Sequence, residues 1–220
     1  MMAAVGSYAA DMRHDWSRWG MANPYARSEF TLGTHWLQIN QDRSFRAFTY
    51  ARLACLPLLL LGGVVCFRWA SELHGSASGW LALTLYCTCP NLLAYGSSIT
   101  PDAAAAAIGV CAGYTFWRWL QQSTWSRAWL AGAALGVAEL TKTTWIVLFG
   151  LWPVLWLIVT YQRARLPDSD QPERVSVTSA AGQLAVILLV AVYLVNLGYG
   201  FAGSGTRLGD FTFCLLYTSP

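Results

Sequence analysis

LAGAALGVAELTKTTWIVLFGLWPVLWLIVTY, residues 130–161, carries one acid, Glu139, and one base, Lys142, in an otherwise uncharged stretch. From Thr143 to Gln162 there is no charge at all, and this run has the roughly 20 mostly apolar residues that a helix needs to cross a bilayer. The runs from Gly75 to Pro101, Ala103 to Trp117 and Val175 to Thr206 repeat the pattern. Over the whole chain of 220 residues, 55% are hydrophobic and only 11% charged, against roughly 25% charged in an average soluble domain. The chain therefore reads as an integral membrane protein, which excludes a soluble enzyme or binding module.

Working outward from that stretch gives an all-α, polytopic bundle of about six transmembrane helices, expected near 48–69, 78–96, 102–120, 128–142, 144–162 and 179–202. Residues 1–46 read as an extracytoplasmic loop segment with short helices, 47–203 as the transmembrane bundle and 204–220 as an extracytoplasmic tail. The terminal CLLYTSP reads as non-native. The fourth span is short and interrupted by Glu139, but Gly132, Ala133 and Gly136 form a small-residue face that lets another helix approach closely. That predicts a helix packed inside the bundle. Tryptophans at Trp69, Trp80, Trp117, Trp119, Trp125, Trp129 and Trp145 are expected as anchors at the membrane interface rather than as a binding cage.

The formal net charge of +3 comes from arginines near span ends, which points to lipid headgroups and orientation, with no nucleic acid. If the 70–77 loop is cytoplasmic, Arg68, Arg118, Arg127, Arg163, Arg165 and Arg174 share that side, and Lys142 and Arg207 lie on the other. The N-terminal segment is then outside, although Arg43, Arg46 and Arg52 lie close to its span. A helix preceding Met1 resolves this, so the chain is expected to be a fragment. The cysteines Cys55, Cys66, Cys87, Cys89, Cys111 and Cys214 read as packing residues, and the scattered His14, His35 and His74 suggest no zinc site.

Lys142 is the one lysine beside thirteen arginines, and Asp102 occupies a similar seam in PNLLAYGSSITPDAAAAAIGV. Ionisable groups in or bordering spans are functional-site candidates by default. Each also has a structural explanation. Thr100 as N-cap, Pro101 at the first helical position and Asp102 near the dipole's positive end describe an ordinary helix start. Lys142 suits a helix C-terminus, with Glu139 three residues earlier as its expected ion-pair partner. The orientation above puts Asp102 and Lys142 on the same, outer side.

The stretch from Arg68 to Leu120, together with RAWLAGAALGVAELTKTTWIVL, resembles the bacterial glycosyltransferase family 39 proteins, relatives of protein O-mannosyltransferases with the GT-C membrane fold. The features that carry the resemblance are Pro90 with Asn91, Asp102 opening a helix, the small-residue run Ala131 to Leu140, and Thr141 with Lys142. VNLGYGFAGSGTRLGDFTF, from Val195 to Phe213, looks like the family's continuation. The resemblance implies sugar transfer from a polyprenyl-phosphate-linked donor to an acceptor protein, lipid or glycan outside the cytoplasm, at a bacterial inner membrane. It implies a partial GT-C fold here. Such chemistry needs a base for the acceptor hydroxyl and fixed positive charge for the phosphate leaving group.

On this reading Asp102 is the candidate catalytic residue, positioning an acceptor or donor hydroxyl, orienting a metal or holding the outer loops. Lys142 and Arg52 are candidate phosphate ligands, with Glu139 beside the lysine and Tyr95 at a position where many relatives carry histidine. His35, with Trp16, Trp19, Tyr25, Phe30 and Trp36, is a candidate lining for an acceptor groove; a packed loop helix is the plainer alternative. No cofactor is indicated with certainty, and a divalent metal stays open. The family's acidic Asp-Glu loop motif is not found, and its role is not transferred to Asp11 or Asp15. That departure keeps a non-catalytic assembly subunit open beside the enzyme. A transporter or flippase is the other rival, although no inverted repeat is visible.

Overall fold

The computed structural model describes residues 12–17, 28–165 and 176–207. Asp11, Trp19, Tyr25, Arg174, Cys214 and the segment beyond Arg207 lie outside the described residues. Every regular element among the described residues is helical: α1 (Ser28–Asn40), α2 (Arg43–His74), α3 (Ser76–Thr88), α4 (Pro90–Gly96), α5 (Pro101–Gln121), α6 (Trp125–Thr141), a 3₁₀ turn (Thr143–Ile146), α7 (Val147–Ala164) and α8 (Val177–Gly198). The expected all-α architecture is therefore what folds. The chain forms two compact units, residues 1–57 with 203–220, and residues 58–202.

Helices occupy all six intervals expected to span. By length and composition, Arg43–His74, Thr143–Ala164 and Val177–Gly198 are long and apolar enough to cross a membrane, each holding an 18-residue stretch of mean hydropathy 1.9, 1.8 and 2.2 respectively. The 78–96 interval is not one helix. Cys89 is extended (φ −62°, ψ 116°) and Pro90 begins α4, because proline lacks an amide donor and pushes the preceding residue out of the helical region. At the other end of α3, Gly75 turns the chain with φ 89°, a conformation that costs glycine little.

In the 58–202 unit, α6 packs most extensively against α8 and then α5. The reason is legible in its small residues: a Cβ on Gly132 would stand 2.7 Å from the Ile187 carbonyl oxygen, and one on Gly136 would stand 2.9 Å from Leu194 Cβ. The small-residue face thus does what its spacing predicts. Around it lie Ile108, Ala112, Phe116 and Trp119 of α5, Leu135 and Ala138 of α6, and Ile187 and Ala191 of α8, all buried. Phe116 stacks on Trp152 of α7 with ring centroids 4.2 Å apart.

Trp119 corrects the expectation of an interface anchor. It is fully buried because Gln183 of α8 accepts its indole N–H at 2.9 Å, and Gln183 in turn donates to the Ser123 carbonyl at 3.3 Å. A satisfied indole can enter a core. Trp80, Trp125 and Trp129 do stay exposed. Among the cysteines, Cys87 is exposed and Cys55, Cys66, Cys89 and Cys111 are half-buried, all as free thiols.

Overpacking a close helix contact costs roughly 1–3 kcal/mol, so Gly136→Val should lower the thermal unfolding temperature in detergent. Gly150→Ala, on α7 where a new Cβ meets nothing within 4 Å, should leave it unchanged. Equal melting of the two variants would contradict the packing described.

Candidate functional site

The two charges singled out in the sequence meet. Lys142 Nζ donates to Asp102 Oδ1 at 2.6 Å, closing an ion pair between residues 40 apart in sequence. Asp102 sits in the first turn of α5, after Thr100 at the N-cap and Pro101 at N1. The Thr100 side chain does not cap the helix; its hydroxyl lies 3.2 Å from that of Ser98, whose own hydroxyl donates to the Tyr95 carbonyl at 3.0 Å. Tyr95, near the end of α4, thus enters the site through its backbone, anchoring the turn that leads to Asp102.

Lys142 caps α6 in an extended conformation, φ −159° and ψ 125°, followed by the 3₁₀ turn, which opens with the β-branched pair Thr143–Thr144. Its amide still donates to the Ala138 carbonyl at 3.2 Å, and its carbonyl accepts from Trp145 at 3.2 Å. This conformation corrects the expected Glu139–Lys142 pair. A residue that has left the helix no longer projects along the line joining positions i and i+3, so the ammonium reaches across to α5. Glu139 is instead buried, 8% exposed, and its Oε2 has no hydrogen-bond partner among the described residues. Trp145 covers α5 at Gly109, where a Cβ would collide with the indole.

The side chains of Lys142 and Asp102 are 42% and 38% exposed. The pair is thus not enclosed by the protein, and two of the three ammonium donors stay available to a ligand. At the opposite end of α5, Arg118 makes bonds of 2.9 and 3.1 Å to the Glu72 carboxylate, and Tyr114 donates to the same carboxylate at 2.8 Å. Arg127 donates to the Arg118 carbonyl at 2.9 Å and Arg163 to the Leu120 carbonyl at 2.7 Å, satisfying acceptors that the helix end leaves open. Asp102 and Arg118 stand near opposite ends of the 21-residue α5, about 24 Å apart along the axis at ~1.5 Å per residue, which is most of the ~30 Å of a hydrocarbon core.

Arg52 and His35 belong to the N-terminal unit. Arg52 is exposed on α2. His35 of α1 pairs through Nε2 with Asp15 Oδ2 at 3.0 Å, and the Ser17 amide donates to Asp15 Oδ1 at 2.9 Å. Asn40, only 3% exposed, fastens the same segment: its Oδ1 accepts the Arg13 amide at 3.0 Å, and its Nδ2 donates to the carbonyls of Arg13 and Trp36 at 3.1 and 2.9 Å. Sequence reasoning missed this clamp and the Asp15–His35 pair, since contacts spanning 20 to 27 residues leave no spacing signal. Among the described residues no group of three or more His, Cys, Asp or Glu side chains is placed to hold a metal ion.

A helical bundle with long apolar helices and a partly exposed ion pair at one helix end defines a multi-pass membrane protein with a polar site at its surface. A sequence profile for "Dolichyl-phosphate-mannose-protein mannosyltransferase" matches residues 28–198, well over half of the chain, and the chain belongs to that family. This makes it a membrane glycosyltransferase using a polyprenyl-phosphate-linked sugar donor. No curated protein and no solved structure matches it.

Exposed ion pairs contribute only about 0–1 kcal/mol, so Asp102→Asn should shift unfolding free energy in detergent by less than ~1 kcal/mol; a larger loss would mark the pair as structural cement. Asp15 makes a second, pH-dependent prediction. The Ser17 amide, then the His35 hydrogen bond, hold its carboxyl down at about 2, below the ~3.9 of an unfolded aspartate. A depressed value stabilises the folded form fully above the unfolded value and loses that contribution as pH falls through the folded one. Hydrogen exchange at the Ser17 amide should therefore stay protected, after correction for intrinsic rates, down to about pH 4 and accelerate only towards pH 2. Release between pH 6 and 5 would contradict it.

Proposed function

We propose that Lys142 and Asp102 form the donor-phosphate site of an enzyme that moves a hexosyl or pentosyl group from a polyprenyl-phosphate carrier to an acceptor on the extracytoplasmic side of a bacterial plasma membrane. The observation that carries this reading is the 2.6 Å pair at the end of α5 opposite the arginine cluster. Arginines collect on the cytoplasmic side of membrane proteins, which supports an outward site. A donor whose tail stays in the bilayer presents its phosphate at that depth.

In the transfer the bond from the anomeric carbon to the phosphate oxygen breaks, a bond from the acceptor oxygen to that carbon forms, and the acceptor's proton leaves to a base. Negative charge grows on the departing phosphate, and the Lys142 ammonium stabilises it through donors not committed to Asp102. Asp102 holds the ammonium in place with Oδ1. Its other oxygen is suited to accept a hydrogen bond from a donor or acceptor hydroxyl. Fixing both groups on rigid helix ends limits reorganisation during the reaction.

Removing one preorganised donor at a developing anion typically costs about 10²–10³ in turnover. Lys142→Ala, assayed in membranes at limiting dolichyl-phosphate-mannose, should lose transfer by about that factor while membrane insertion is unchanged. Lys142→Arg, which keeps the charge but not the compact ammonium, should retain part of the activity. Wild-type turnover in Lys142→Ala would sink the phosphate role, and ATP-independent uptake without transfer would favour a transporter.

A further inference from the structure

The N-terminal unit contains a pocket of ≈ 200 Å³ lined by His14, Asp15, Trp16, Leu32, Gly33 and Trp36. Its walls are held before any ligand arrives. Asn40 fastens residue 13 to the end of α1 with two hydrogen bonds, the Asp15–His35 pair ties the next residues to the middle of α1, and Phe48 braces the Trp36 ring edge-on at a centroid distance of 6.0 Å. Trp16 leaves 61% of its surface exposed. At Gly33 an added Cβ meets nothing within 4 Å, so the helix face that borders the pocket is bare. Preorganised walls lower the cost of ordering on binding.

The volume lies below the roughly 300–1,000 Å³ typical of pockets for drug-sized ligands, which fits a single small ring. Indole walls suit a ligand with an apolar face, and the Asp15 carboxylate suits a ligand with hydrogen-bond donors at its edge. A pyranose has both, with C–H groups on its faces and hydroxyls around its rim. A cationic ligand fits less well, because Asp15 already spends one oxygen on the Ser17 amide and the other on the His35 imidazole. The lone pairs left over match neutral hydroxyl donors.

We propose that this pocket binds one pyranose ring of a glycan. The test uses the full chain in detergent with methyl pyranosides of gluco, galacto and manno configuration, read by saturation-transfer NMR on the sugar protons. At least one should bind, with transfer strongest to the C–H protons of one ring face. Gly33→Leu, which fills the pocket from a position with open space, should weaken that binding at least tenfold, as should Trp36→Ala, and Lys142→Ala should leave it intact. The proposal is overturned if none of the three sugars binds, if Gly33→Leu binds as well as wild type, or if a serine-containing tripeptide or phosphocholine occupies the pocket instead.

Discussion

The close approach of α6 to its neighbours is the constraint on which the 58–202 unit depends. With no water to expel between helices inside a bilayer, association relies on van der Waals contact and interhelical polar bonds. Gly132 and Gly136 allow the backbone of α8 to come within contact of α6, and the alanines Ala128, Ala131 and Ala138 are fully buried. The Trp119–Gln183 bond adds a polar tie from α5 to α8. With these contacts in place, the end of α6 is a fixed point, and so is the lysine that caps it.

The ion pair follows from that placement. Asp102 favours the positive end of the α5 dipole and Lys142 the negative end of α6, so each charge is stabilised by its own helix before the two meet. The break in helical geometry at Lys142 then aims the ammonium at Asp102 instead of Glu139. Partial exposure keeps the pair's contribution to stability small and its access to a ligand high. That combination suits a binding group better than a structural one.

Much of this was legible in residues 130–161 and 90–102. The small-residue face, the helix starting at Pro101 and the anomaly of a lone lysine can be read directly, because each depends on local steric or dipolar rules. The partner of Lys142 could not be: Glu139 has the right spacing for a helix, and only the extended cap conformation disqualifies it. The split at Cys89–Pro90 carried a proline signal that a purely hydropathic reading passed over. Trp119 misled because an indole at a span end and an indole satisfied by a glutamine 64 residues away look alike in sequence. The Asn40 clamp and the Asp15–His35 pair are tertiary throughout.

A single lysine gives the central claim a direct probe, since ¹⁵N-lysine labelling yields one side-chain ammonium signal. Titrating short-chain prenyl monophosphate into the labelled protein in detergent should move the Lys142 Nζ resonance saturably, and the shift should disappear when prenyl alcohol replaces the phosphate. A resonance that stays in place at saturating prenyl monophosphate would contradict the assignment of Lys142 as the group that holds the donor phosphate.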